Sequence, residues 1–178
     1  MQAGAPSGAV EIRALTRADV SAFQQLRRQR LELEPRAFAE SLAEHDSTST
    51  ETIARRLESS TSDNFVVGAF APGGGLIGMA GFARNLREKS RHKGLIWGVF
   101  VQPTWRNQGV ARAMLAELVT RVRSNAGVEK IILTVAADQI AAKRLYRSLG
   151  FEVFGQEKHA LKIDGGYVDE DHMVLWLG

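Results

Sequence analysis

"VFVQPTWRNQGVARAML", Val99 to Leu115, passes from a branched and aromatic run, through a proline turn, into a helical pattern. Gly109 stands where the strand hands over to the helix, with Arg106 three residues before it. A glycine there serves either a turn that needs a small residue or a backbone cradle for phosphates. The cradle has a physical basis: the first amides of a helix lack intrahelical acceptors and carry the positive end of its dipole. A glycine lets an anion approach them closely. Gln108, Gly109, Val110, Ala111 and Arg112 would then aim their N–H groups at it, and Arg106 could add a charge-assisted bond. Neither G-x-x-x-x-G-K-[ST] nor G-x-G-x-x-G occurs at this strand-to-helix turn, so the two familiar nucleotide loops are excluded there. Alone, R-x-x-G-x-A does not decide between turn and cradle.

Working outward, "VEIRAL" alternates as a short strand. Thr16 caps a first helix striped by Val20, Phe23 and Leu26, which Pro35 breaks. A short helical piece is expected around Phe38, and another helix in "STSTETIARRLES". "NFVVGAF", "APGGG" and "LIGMAGFAR" make a hairpin, and "LIWGVFV" is a strand closed by Pro103. Ala111, Met114, Leu115, Leu118 and Val122 mark a helix ended by "NAG". "KIILTV" is a buried strand, Ala141 to Leu149 a helix stopped by Gly150, and the tail two strands around "IDGG". This order describes one mixed α/β domain over residues 11–178, behind a disordered tail over residues 1–10.

Composition narrows the function classes. The chain has 178 residues, 44% of them hydrophobic, enough for one full core. No cysteine is present, which excludes disulfides, thiolate metal sites and a cysteine nucleophile. No apolar run approaches the roughly 20 residues of a membrane-spanning helix, and the start lacks a signal-peptide pattern, so a cytoplasmic protein without a membrane partner is expected. A net charge of +3 is too small to argue for nucleic acid. The basic run "RNLREKSRHK", Arg84 to Lys93, is either a solvated loop or a contact for an anion. Glu32, Glu34, Glu40, Glu44 and Asp46 cluster earlier, as solvated helix faces or as a mild preference for a cationic acceptor. "DEDH", Asp169 to His172, alternates faces on a strand, which argues against a metal and for an exposed edge or a carboxylate rim. Trp97, Trp105 and Trp176 read as packing.

A second motif, "AAKRLYRSLGF", follows "KIILTV". Together with "VFVQPTWRNQGVARAML" these segments resemble the GNAT superfamily of N-acetyltransferases, specifically over Leu95 to Phe151 and more loosely elsewhere. The resemblance implies a central twisted mixed sheet of about six to seven strands flanked by helices. It also implies acetyl-CoA as co-substrate, lying between the splayed parallel strands "LIWGVFV" and "KIILTV". Backbone groups of Val99, Phe100 and Val101 would pair with the pantetheine arm, and the turn from Arg106 through Asn107 and Gly109 to Arg112 would hold the pyrophosphate.

Tyr146 matches the family's usual general acid, and a phenol of pKa about 10 stays protonated at neutral pH. Gln139 stands where the family often has an asparagine that bonds pantetheine. It keeps the amide on a longer stem. The family's frequent strand glutamate is missing from "LIWGVFV", leaving His92, Glu34 or a water chain as the base. The expected activity is acetyl transfer to a primary amine of a small molecule or a peptide, with no metal. The alternative is a sensor or scaffold that holds acyl-CoA with little catalysis. A homodimer is left open.

Overall fold

The computed structural model describes residues 8–178, so most of the tail expected over residues 1–10 lies outside the described range. Its strands are β1 (Glu11–Ala14), β2 (Asn64–Phe70), β3 (Leu76–Arg84), β4 (Lys93–Val101), β5 (Lys130–Ala136), β6 (Glu152–Ile163) and β7 (Gly166–Trp176). Its helices are α1 (Val20–Leu33), α2 (Leu42–Ser47), α3 (Thr50–Glu58), α4 (Val110–Arg123) and α5 (Ile140–Ser148). Phe38, expected in a helical piece, is extended. A single 3₁₀ turn covers Pro35–Ala37 and α2 starts later, behind Ser41, whose hydroxyl accepts from the Glu44 amide. Pro35 fits the first turn of such a helix because its missing N–H has no partner to lose there.

The strands form one seven-stranded sheet in the order β1-β2-β3-β4-β5-β7-β6. Every neighbouring pair is antiparallel except β4 and β5. That parallel ladder is short: Lys93, Gly94 and Leu95 pair with Lys130, Ile131 and Ile132, and nothing further along β4 pairs with β5. The reason lies on the other side of β4. Gly81 pairs with Trp97 and Met79 with Phe100, so Ala80 faces two residues, Gly98 and Val99. Gly98 has φ of 64°, a left-handed conformation open to glycine at little cost. Such a bulge bends and twists its strand, and the last β4 pair with β5, at Leu95, lies three residues before it.

Each face of the sheet buries its own core. On one face α4 sets Met114, Leu115, Leu118 and Val122 against Val67, Ala69, Phe82, Ile131 and Leu133. The stripe is the one read from the sequence. On the other, Phe23 and Leu26 of α1 and Ile53 and Leu57 of α3 cover Leu15, Val66, Met79 and Phe100.

Asp19 fastens β1 to the start of α1. Its carboxylate takes two 2.8 Å bonds from the Arg13 guanidinium and one of 2.8 Å from the Thr16 amide. The Arg13 bonds, with help from Thr16 and against the opposing effect of burial, hold its pKa at about 2. A depressed carboxyl contributes stability in full above its unfolded value near 3.8 and loses it as the pH falls toward 2. Asp19→Asn should therefore cost on the order of 2 kcal/mol at neutral pH. The difference from wild type, measured by thermal or urea unfolding from pH 6 to pH 2, should shrink toward the acid end.

Candidate active site

The gap between β4 and β5 opens into two cavities that meet. The first, about 310 Å³, runs from Val99, Phe100 and Val101 past Arg106, Asn107 and Gly109 to Arg112, and is closed by Gln139, Leu145 and Tyr146 of the α5 region. The second, about 370 Å³, lies between α1 and the strand ends, lined by Arg27, Arg30, Phe38, Glu40, Trp97, Thr134 and Glu170. Glu34, Val99, Gln139, Ala142 and Tyr146 line both. The sequence-predicted residues Val99 to Val101, Arg106, Asn107, Gly109 to Arg112, Gln139, Tyr146 and Glu34 thus share one cleft. Gln108 is in the same turn, with its side-chain amide turned back to the Thr104 carbonyl at 2.9 Å.

Local geometry explains the turn. Asn107 and Gly109 both take left-handed conformations, with φ of 59° and 79°. Gly109 caps α4, and a Cβ built on it would meet nothing within 4 Å. The first α4 residue bonded back to the cap is Ala113, whose amide reaches the Gly109 carbonyl at 3.0 Å. The amides of Val110, Ala111 and Arg112 precede it, and Val110, Ala111 and Arg112 line the first cavity. Arg106 is partly committed: its Nε donates to the Val101 carbonyl at 2.9 Å and its Nη2 lies 2.7 Å from Glu34. The ion pair joins the end of α1 to the turn.

Tyr146 is 6% exposed, edge-on to Phe151, and burial pushes its phenol well above the ordinary value. Gln139 caps α5, its carbonyl accepting from the Lys143 amide at 3.0 Å. His92 is not brought to the cleft. It precedes β4 at the end paired with β5, its carbonyl accepting from the Glu129 amide at 2.7 Å. Seven residues of extended strand put it roughly 20 Å from Val99.

The early acidic cluster presents little free charge. Glu40 is shared by Arg27 and Arg30, Glu34 pairs with Arg106, Glu32 and Asp46 pair with Arg28, and Glu44 accepts from Ser41. "DEDH" alternates as its period requires. Asp169 binds Lys158 and Asp171 binds Lys143 and Gln156, while Glu170 lines the second cavity. Burial pushes the Glu170 carboxyl above its ordinary value. No group of three His, Asp or Glu side chains is placed to hold a metal among the described residues. Likewise among these residues, no helix is long and apolar enough to cross a membrane.

Sequence reading missed the second cavity's arginines and Trp97, which lines it instead of only packing. The signal for the arginines was present: Val20, Phe23, Arg27 and Arg30 follow helical spacing, so both fall in the buried stripe of α1.

Comparison with known proteins agrees with this architecture. The model of an acetyltransferase (GNAT) domain matches residues 12–173. The N-alpha-acetyltransferase RimI of Mycobacterium tuberculosis is 31% identical over 160 residues, covering 88% of this chain and 87% of that protein. The L-amino acid N-acetyltransferase AaaT of Escherichia coli is 37% identical over 79 residues, 44% of this chain, and the match spans about half of that protein, 48%. Among solved structures, yncA of Salmonella typhimurium, a putative acetyltransferase crystallised with acetyl-CoA, superposes with a TM-score of 0.82 at 22% identity over 96% of this chain and 95% of that one. In sequence along nearly its whole length and in the gap that divides its sheet, this chain belongs to the GNAT family of acetyltransferases.

Proposed function

We propose that the chain transfers an acetyl group from acetyl-CoA to a primary amine. The observation that carries this reading is the opening of the β4–β5 gap onto an amide-lined turn on one side and a charged cavity on the other, with Tyr146 at their junction. The relative yncA, solved with acetyl-CoA, has the same fold, which supports this choice of donor. The pyrophosphate lies at the turn from Arg106 to Arg112, where the first amides of α4 meet it. Pantetheine follows β4 along Val99 to Val101, on the side that β5 leaves unpaired, with Gln139 beside it.

In the reaction the amine nitrogen attacks the thioester carbonyl carbon, an N–C bond forms and the C–S bond breaks. Tyr146 stays protonated because it is buried. It donates to the departing sulfur, whose charge the same apolar surroundings disfavour. The proton lost by the amine goes to a carboxylate of the second cavity. Glu34 is held by Arg106 at 2.7 Å. Glu170 is half-buried, forms no ion pair among the described residues, and is made more basic by burial, so it is the base we assign. The sensor alternative rests on the missing carboxylate of β4 and on Gln139 in place of asparagine; Glu170 of β7 supplies a carboxylate in the second cavity.

The direct test is thiol release from acetyl-CoA across a panel of amines, amino acids and peptide N-termini. Tight acetyl-CoA binding with no turnover on any of them would instead favour the sensor. Gly109→Val should weaken acetyl-CoA binding by more than 100-fold in calorimetry, since a branched side chain would fill the open space and strain a positive φ. Normal binding by a folded variant would remove the phosphate cradle.

Tyr146→Phe should lower kcat by about 10²–10⁴ and leave acetyl-CoA affinity nearly unchanged. A packing role predicts the reverse, a lower melting temperature with normal turnover. For Glu170→Gln, kcat/KM should fall by about 10²–10⁴, and the acid limb of its pH profile should disappear. In wild type that limb should have its midpoint above the ordinary carboxyl value of 4.5. An unchanged profile would assign the base elsewhere.

A further inference from the structure

The wall of the second cavity formed by α1 holds more positive charge than its neighbours neutralise. Arg27 and Arg30 are 8% and 4% exposed, and Glu40 is the one carboxylate that either bonds among the described residues. Arg30 Nη2 lies 2.6 Å from one oxygen of Glu40, and Arg27 Nη2 takes the other. Both Nε atoms are buried with no hydrogen-bond partner among the described residues. A guanidinium carries five N–H donors, so two of them against one carboxylate leave most donors unspent. Burial, together with repulsion from Arg27 and against the opposing effect of Glu40, lowers the Arg30 pKa to about 10.

Among the described residues nothing else nearby supplies the missing negative charge. His45, pushed below its ordinary value by burial and by Arg27, is neutral or cationic and supplies none. Glu34 is taken by Arg106. Glu170 stands across the cavity on β7, apart from both arginines in the hydrogen-bond pattern. A structural ion pair needs one guanidinium per carboxylate; a second, buried and under-bonded, is costly unless something else binds it. Its location says where that partner lies. A Cβ on Gly98 would come within 2.8 Å of Arg30 Nη1, so the guanidinium sits against the bulge, one residue from Val99 and the meeting point of the cavities.

We propose that Arg27 and Arg30 form a carboxylate subsite, and that the acetyl acceptor is a free α-amino acid. Its carboxylate lies against the two guanidiniums, its amine faces Tyr146 and Glu170, and its side chain lies along Phe38, Trp97 and Leu133. Opposite charges on opposite walls suit a zwitterion of this size. A peptide N-terminus lacks the adjacent carboxylate, and a polyamine would set ammonium against guanidinium. The inference rests on the acetyl-transfer reading above and adds the class of acceptor to it.

The test pairs each of the twenty L-amino acids with its α-carboxamide, and adds dipeptides, with thiol release as the readout and acetyl-CoA binding measured separately by calorimetry. The best acid should exceed its carboxamide by about 100-fold or more in kcat/KM, because loss of the carboxylate leaves buried donors unpaired. Arg30→Gln should raise KM for the acid, bring the acid-to-amide ratio close to one, and leave acetyl-CoA affinity unchanged. If that variant does not fold, the wild-type ratio decides. Carboxamides or dipeptides used as well as the acids would overturn the carboxylate subsite while leaving acetyl transfer standing. Acetyl-CoA binding with no transfer to any amino acid would overturn it as well. A protein that binds no acetyl-CoA would instead remove the reading beneath it.

Discussion

One extra residue in β4 governs the molecule. Without the bulge at Gly98 and Val99, β4 and β5 could continue their parallel ladder past Leu95 and the sheet would close. With it, the ladder stops after three pairs and the backbone from Ile96 to Val101 has no strand on its β5 side. Unpaired backbone groups next to a cavity are costly to leave dry, so the same feature that divides the sheet prepares one edge for an extended ligand. Past Leu95 the core under α4, which takes Val67, Phe82 and Ile96 from one half and Ile131, Leu133 and Met173 from the other, joins the halves without β4–β5 hydrogen bonds.

Arginines connect this gap to the rest of the chain. Arg106 reaches the Val101 carbonyl and Glu34 together, tying the end of β4, the turn before α4 and the end of α1 into one unit. Arg30 stacks over Phe38 at 4.4 Å while bonding Glu40, which fixes the extended segment after the 3₁₀ turn against α1. The proposed donor and acceptor sites therefore share a frame: a shift of α1 moves Glu34, Arg27 and Arg30 together.

The parts of the fold set by local pattern could be read from the chain. The α4 stripe, the hairpin of β2 and β3 and the "IDGG" turn each depend on spacing and turn residues within about a dozen positions. The turn around Gly109 was legible because helix-start chemistry is local. What escaped was non-local. The "DEDH" run reads as an exposed edge or a carboxylate rim, but does not say which carboxylate enters the second cavity: Glu170 does so because β7 inserts between β5 and β6, an order that no periodicity announces. Phe38 was misplaced because apolar character near a proline suits a helix and an extended segment equally, and its contact with Arg30 comes from tertiary packing. The acidic cluster looked available to a cation because its arginine partners are dispersed along the chain. His92 was attractive for its titration range alone, and distance along β4 takes it away from the cleft.

The outer edge of the sheet has a consequence for self-association. β6 is twelve residues long, and a flat edge of that length would be a template for strand addition by another chain. Its register with β7 shifts twice, between Val153 and Gly155 and between Glu157 and Leu161, and His159 has φ of 55°. The His159 amide is spent on Asp169, with Lys158 bonded to the same carboxylate. These breaks leave no long regular row of backbone donors and acceptors facing outward. Two copies meeting along this edge would have to match side chains such as Val153 and Phe154 instead of zipping backbones, which makes any such contact selective for shape and resistant to open-ended polymerisation.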